Sequence, residues 1–224
     1  MQYEIIGGNL PAVVISLEAG EQVKCESGSM SWMDRGITME TSGGGLGKMF
    51  GRMVTGEALM LNTYSASTAG KIAFASSFPG SIKVVEIKPG VSIMAQKGSF
   101  LASYGDIDMS VGFQKKIAGG FFGGEGFLMQ KFEGNGLVFL EVDGSAVDYE
   151  LAAGQQMILD TGYLVQMDSS VSLDVEMVKG VKNILFGGEG LFNTVLTGPG
   201  HITIQTMPIS KTAMVINNYI PKSN

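Results

Sequence analysis

Three stretches decide the fold: Gly70-Lys71-Ile72-Ala73-Phe74, Gly136-Leu137-Val138-Phe139-Leu140 and Gly200-His201-Ile202-Thr203-Ile204. In each, a glycine opens a segment with strand periodicity. The third alternates apolar and polar residues, as does Val171-Ser172-Leu173-Asp174-Val175-Glu176. A period of two puts one strand face in a core and the other toward water. The second stretch is apolar from Leu137 to Leu140 and reads as a strand buried on both faces.

The same columns recur upstream of each stretch. An apolar residue stands three positions before a glycine at Leu17 and Gly20, at Ile87 and Gly90, and at Leu151 and Gly154. Further glycines follow at Gly28, Gly98 and Gly162, then Ile37, Ile107 and Val171, then Met39, Met109 and Leu173. Next come the pairs Gly56-Glu57, Gly124-Glu125 and Gly188-Glu189. With 33 glycines in 224 residues one matching column is uninformative, but many columns holding one register are not. The sequence reads as one unit written three times, about 13–82, 83–146 and 147–208, with a C-terminal extension over 209–224. Pro-Gly at 79–80, 89–90 and 199–200 marks turns. The expectation is a single all-β domain of three short double-stranded β-helix-like units. Their apolar faces and open edges favour packing around a pseudo-threefold axis.

One segment of each unit departs from strand periodicity. Leu46, Met49, Phe50 and Met53 recur at helical spacing, with Lys48 and Arg52 between them. Met177, Val178, Val181, Ile184 and Leu185 do so around Lys179 and Lys182, and Phe113 and Ile117 more weakly around Lys115 and Lys116. These predict helices of one or two turns, amphipathic with a cationic side.

Composition excludes several functions. The single Cys25 forms no internal disulfide, and no Cys/His set exists for structural zinc. His201 is the one histidine, so a His-based triad or a two-His metal site would rest on it alone; a surface strand position is the simpler reading. Packing accounts for Cys25 and Trp32. The net charge of −6 disfavours nucleic acid, which recruits Lys and Arg to its phosphates. Gly43-Gly44-Gly45-Leu46-Gly47-Lys48 lacks the Ser or Thr that a phosphate-cradling P-loop places after its Lys. No uncharged apolar run is long enough to span a bilayer, and no basic, apolar leader opens the chain. A cytoplasmic protein is expected, with membrane association through a surface patch as an option.

The order and spacing of the repeated columns, with Gly-Gly-Glu-Gly-Phe at 123–127 and Gly-Gly-Glu-Gly-Leu-Phe at 187–192, resemble the mitochondrial biogenesis family named for altered inheritance of mitochondria. The resemblance covers about Tyr3 to Pro208. The first copy departs from the motif, reading Thr55-Gly56-Glu57-Ala58. The resemblance implies a fold similar to the tryptophan-responsive RNA-binding attenuation protein, triplicated within one chain. Eukaryotic members are associated with inner-membrane organisation and prokaryotic ones are largely of unknown function. The absence of a leader points to a prokaryotic member, and the acidic balance argues against carrying RNA binding across.

The candidate residues form two sets. Glu57, Glu125 and Glu189 either accept N–H bonds inside their tight turns or converge to hold a hard cation. Met49, Phe50, Met53, Phe121, Phe122, Ile184, Leu185 and Phe186 either fill the core or gather into an interaction patch edged with Lys. No cofactor is expected. The reading is a non-enzymatic scaffold or assembly module, self-associating into a homo-oligomer, with a protein partner or an anionic membrane surface as further partners. A small-ligand or cation-binding protein is the alternative, and a carboxylate-dependent hydrolase ranks last.

Overall fold

The computed structural model describes residues 1–41, 61–115, 127–177, 192–217 and 219–220. The chain is all-β. After an N-terminal strand β1 (Gln2–Ile6), the first segment carries β2 (Ala12–Leu17), β3 (Gln22–Glu26), β4 (Met30–Met33), β5 (Ile37–Thr41), β6 (Leu61–Ala66) and β7 (Gly70–Ala75). The second carries β8 (Gly80–Ile87), β9 (Ser92–Gln96) and two long strands, β10 (Phe100–Lys115) and β11 (Phe127–Asp143). The third carries β12 (Ala146–Leu151), β13 (Gln156–Asp160), β14 (Leu164–Asp168), β15 (Ser172–Met177), β16 (Phe192–Thr197) and β17 (Gly200–Gln205). An α-helix, α1 (Ile209–Asn217), follows.

The ladders inside the three segments correspond. In the first, β7 lies between β2 and β4, and β6 lies between β3 and β5. In the third, β17 lies between β12 and β14, and β16 between β13 and β15. In the second, the two long strands each do the work of two. The Gly136–Asp143 half of β11 lies between β8 and the start of β10, and its Phe127–Gly134 half lies between β9 and the rest of β10. All ladders are antiparallel. The strand after the second turn is bulged at the same place each time: the register skips Ser31, Leu101 and Val165. A bulge bends its strand and re-aims the extra side chain.

The repeated columns have physical jobs. Leu17, Ile87 and Leu151 are buried at the ends of their strands; Ile37 is buried at the start of β5, Ile107 within β10 and Val171 just before β15. Gly20, Gly90 and Gly154 all have positive φ and make the same turn. Gly28 and Gly98 do likewise, whereas Gly162 falls in a one-turn 3-10 helix, Thr161–Tyr163. The long strands of the second segment cross from one half to the other at Gly105, Gly134 and Gly136. A Cβ on Gly134 would stand 2.0 Å from the Asp106 carbonyl oxygen, so only glycine allows that approach.

Among the described residues, three apolar clusters form the core. Leu137-Val138-Phe139-Leu140 supplies two of them: Phe139 enters the first cluster, with Ile15, Ile72 and Phe74, and Val138 and Leu140 enter another, with Ile87 and Phe132. Leu101 and Ala102 also reach from the second segment into the first cluster. Phe127 and Met129 reach into the third, beside Leu164, Met167 and Leu196. The segments are therefore packed into one another rather than strung together.

Of the expected short helices, the one around Phe113 is corrected. Phe113 lies in β10, which continues to Lys115, and Met177 ends β15. Phe113 packs edge-on against Phe127 with ring centroids 6.2 Å apart. Residues 113 and 117 are four apart, a spacing that helix and strand share, and the pairing with β11 decides for the strand. The other residues of those predicted helices lie outside the described residues.

Candidate functional site

The segments join edge to edge. The edge of β3 pairs with β10, with Cys25 opposite Ala102, Lys24 opposite Ser103 and Val23 opposite Tyr104. The edge of β9 pairs with β14 in the same register, with Ala95 opposite Gln166, Met94 opposite Met167 and Ile93 opposite Asp168. Both joints are sealed: Val23, Cys25, Ala102 and Ser103 are buried in one, and Ile93, Ala95, Gln166 and Met167 in the other. The bulge residues Leu101 and Val165 sit beside them and are buried as well. Side-chain ties flank each joint. Tyr104 donates its hydroxyl proton to Glu21 in the first, and the hydroxyls of Ser92 and Ser169 meet at 2.8 Å in the second. That hydrogen bond holds Glu21 below the usual carboxylate range, helped by the backbone N–H of Glu18, and holds the Tyr104 phenol up.

A chain of three such segments has one half-joint left at each end. Among the described residues β4 pairs only with β7, and β13 only with β16. Counted from the bulge, Trp32 and Met33 occupy the positions of Ala102 and Ser103, which β3 covers in the second segment. Counted along β13, Ile158 and Leu159 occupy the positions of Lys24 and Cys25. The side chains show the missing cover: Ile158 is 64% exposed, Trp32 48% and Met33 36%. Edge strands in soluble proteins are ordinarily guarded by charge, proline or cover. Met30-Ser31-Trp32-Met33 has no charge at all, and β13 has none before Asp160.

Trp32 corrects the expectation that packing accounts for it, because its cover would have to come from a strand outside its own segment. Neither Trp32 nor Ile158 stood out in the sequence. The available signal was Ser31, polar where the matching bulge residues are Leu101 and Val165. Cys25 does pack as expected. Burial first, and the neighbouring Glu26 second, push its thiol up to about 12, which leaves it protonated and inert.

Where the turns after β3, β9 and β13 approach α1 lies a cleft of about 620 Å³. Gln96, Ser99, Glu141, Asp143, Gln205 and Ile209 are among its lining. Its acids are already engaged. Glu141 accepts both the backbone N–H and the hydroxyl of Ser77 at 2.6 Å. Asp143 accepts the N–H of Ile209 at 2.9 Å, fixing the start of α1; its pKa is raised because burial outweighs that bond. Gln205 accepts from the Asp143 N–H and donates to the Gly162 carbonyl, each at 2.9 Å.

His201 belongs to a surface cluster. Its ring nitrogens stand 2.8 Å from Glu150 and 3.2 Å from Asp148, and Asp148 also accepts from Lys83 at 2.6 Å and Thr203 at 2.7 Å. Burial works against the Asp148 charge, but the bonds from Lys83 and Thr203 and the nearby positive charge outweigh it and lower its pKa. Lys83 reaches Asp148 from the second segment to the third, so the cluster ties two segments together.

The candidate glutamates Glu57, Glu125 and Glu189 lie outside the described residues. So do the patch residues Met49, Phe50, Met53, Phe121, Phe122, Ile184, Leu185 and Phe186. Among the described residues no group of three or more His, Cys, Asp or Glu is placed to hold a metal ion. No helix among them is long and apolar enough to cross a membrane.

The architecture defines an all-β protein whose corresponding ladders are joined edge to edge. Residues 3–207 match the family model described as Mitochondrial biogenesis AIM24. The chain belongs to that family. It is 30% identical, over 96% of its length and 88% of the relative's, to an uncharacterized protein of Streptococcus pyogenes serotype M6. It is also similar to a Streptococcus pyogenes protein solved by X-ray crystallography, with a TM-score of 0.82, 26% identity, and coverage of 98% of this chain and 99% of that one.

Proposed function

We propose that this chain is a non-enzymatic binding and assembly module, built of three copies of one β unit, that works by accepting a partner's β-strand along its open edges. The observation that carries this reading is the exposure of Trp32, Met33 and Ile158 on two edges, uncharged but for Asp160 at the end of β13, whose counterparts inside the chain are sealed. Strand addition uses backbone hydrogen bonds for affinity and alternate side chains for specificity, and both are on offer at β4 and β13. The test is affinity purification from native cells of the wild type, Trp32→Lys, Ile158→Lys and Leu10→Lys, the last altering an exposed apolar residue away from both edges. Loss of co-purifying chains, copies of this protein included, is expected with the edge variants alone. An unchanged set in all four would sink the proposal.

The same reading places the protein in the cytoplasm, with peripheral contact to anionic membranes through the apolar and basic stretches around Phe50, Phe121 and Phe186. Replacing these three by Ser is expected to reduce co-sedimentation with anionic liposomes; equal sedimentation would remove the membrane contact. The cleft beside α1 favours a second reading, a small-ligand site between β units. A thermal-shift screen of small polar and cationic compounds tests it, and stabilisation that survives Gln205→Ala would count against the cleft.

A further inference from the structure

We propose that the missing strand comes from a second copy of this chain: β13 of one copy pairs antiparallel with β4 of the next, setting Ile158 opposite Met33 and Leu159 opposite Trp32. This rests on the reading above that the open edges are binding edges, and it names their occupant. Three observations carry it.

The first is register. Both internal joints put the strand before the second turn of one segment against the bulged strand of the next, with the same offset. Cys25 and Ala95 face Ala102 and Gln166, and Lys24 and Met94 face Ser103 and Met167. Carrying that offset to the ends of the series gives Leu159 against Trp32, Ile158 against Met33 and Met157 against Asp34.

The second is that the other open edges do not have this character. Among the described residues the outer edges of β5 and β15 are open in both segments, and so is the corresponding edge of β10, so this edge is unpaired in all three segments. β8 and β12 are open where their counterpart β2 is covered by β1, a strand that precedes the three segments; among the described residues only β4 and β13 are open where their counterparts are paired across a joint between segments. One chain carries one half-joint of each kind, so like cannot satisfy like: the contact is head to tail. Repeating it closes a ring if the rotation permits and runs on as a filament if it does not.

The third is complementarity. Trp32, Met33 and Ile158 are all apolar and all exposed, and pairing them removes three large side chains from water. Leu159 against Trp32 and Ile158 against Met33 are apolar pairs, and Asp34, opposite Met157, meets no like charge, so the two edges suit each other better than they suit a generic polar strand.

Disulfide trapping tests the register directly. Cβ atoms of residues facing each other across an antiparallel pair lie within reach of a disulfide. Met33→Cys and Ile158→Cys are made in separate chains; the native Cys25 is buried and stays silent. Equal amounts are mixed, oxidised with copper phenanthroline and run on a non-reducing gel, with circular dichroism checking that each variant folds. The mixture is expected to give a cross-linked dimer at least tenfold over either variant alone. A single chain carrying both cysteines is expected to give a ladder of multimers. Ile158→Lys is expected to lower the sedimentation coefficient of the wild type to that of a monomer.

A doubly substituted chain that cross-links only within one monomer would overturn the proposal, since β4 would then meet β13 of its own chain. Absence of any mixed dimer would overturn it too. If trapping fails while Trp32→Lys and Ile158→Lys still strip other chains in the purification, the second-copy inference falls and the binding-module reading stands. If both experiments fail, both fall.

Discussion

Leu101→Ser offers the sharpest test of how the segments are held together. Leu101 is the residue the bulge inserts between Phe100 and Ala102, and it is 5% exposed within the apolar cluster of the preceding segment. Serine stands at the matching bulge in the first segment, so the substitution imposes on an internal joint the residue the open edge carries. Truncating a buried Leu to Ala costs about 2–5 kcal/mol, depending on how far the site collapses. Stranding a hydroxyl there adds about 1 kcal/mol more. A total near ~4 kcal/mol is a large part of the ~5–15 kcal/mol by which a domain is stable. At roughly 2–4 °C per kcal/mol for a chain of this size, the melting temperature is expected to fall by about 8–16 °C. Urea unfolding gives the free energy and calorimetry the temperature. The reverse change, Ser31→Leu, touches an exposed residue whose hydroxyl accepts the Ala75 N–H, and is expected to cost no more than about 1 kcal/mol. A loss under ~1 kcal/mol for Leu101→Ser, or equal losses for the two variants, would refute the claim that the internal joints are packed core and β4 an open edge.

Three further outcomes are expected. Cys25 resists maleimide in the native protein and reacts fully in denaturant; rapid labelling without denaturant would contradict its burial. Burial raises the Asp143 pKa in the fold, so its charge weakens the fold at neutral pH. That penalty is complete above the raised value and vanishes as pH falls to the ordinary carboxylate range. Asp143→Asn keeps an acceptor for the Ile209 N–H, and is expected to be more stable than the wild type at pH 7, with the difference shrinking on acidification; a pH-independent difference would refute the assignment. Gly134→Ala drives a Cβ into the Asp106 carbonyl at a φ of 124°, and is expected to cost at least ~3 kcal/mol, whereas Gly90→Ala, with positive φ but open space, is expected to cost about 1–2 kcal/mol. Similar urea midpoints for these two variants would argue against the strand crossing at Gly134.

The parts of this fold legible in the sequence are those set by local periodicity. Leu17, Ile87 and Leu151, like Ile37 and Ile107, are buried because strand alternation turns them inward, and alternation is written in adjacent residues. The glycines at 20, 90 and 154 announce their turns because positive φ nearly requires glycine there. Phe113 was misread because its spacing from Ile117 suits a helix as well as a strand, and only the partner strand, beyond a long connection, settles which. Trp32 shows the deeper difficulty. Its exposure depends on whether another segment lays a strand along β4, and the one nearby sign, the polar Ser31 at the bulge, is readable only once the bulge itself is known. The fusion of β10 and β11 into long strands was likewise unreadable, since Gly105 and Gly134 look the same in sequence whether they break a strand or carry it round a corner.

On the proposed pairing of two copies, the residues at the bulge also explain how one joint design serves two purposes. Where segments share a chain, each is held near its neighbour by covalent linkage, so a joint forms without paying for association and can be made permanent with Leu101 and Val165 in the core. Between chains the same joint must form from free solution, and a fully apolar half-joint would expose another large side chain whenever the copies are apart. Ser31 removes that side chain from the open edge, while Trp32, Met33 and Ile158 retain enough apolar surface for pairing. The expected consequence is an assembly weaker than the internal joints and set by concentration. Ser31→Leu should therefore tighten self-association even as it leaves the fold's stability nearly unchanged, and sedimentation over a concentration series separates the two effects.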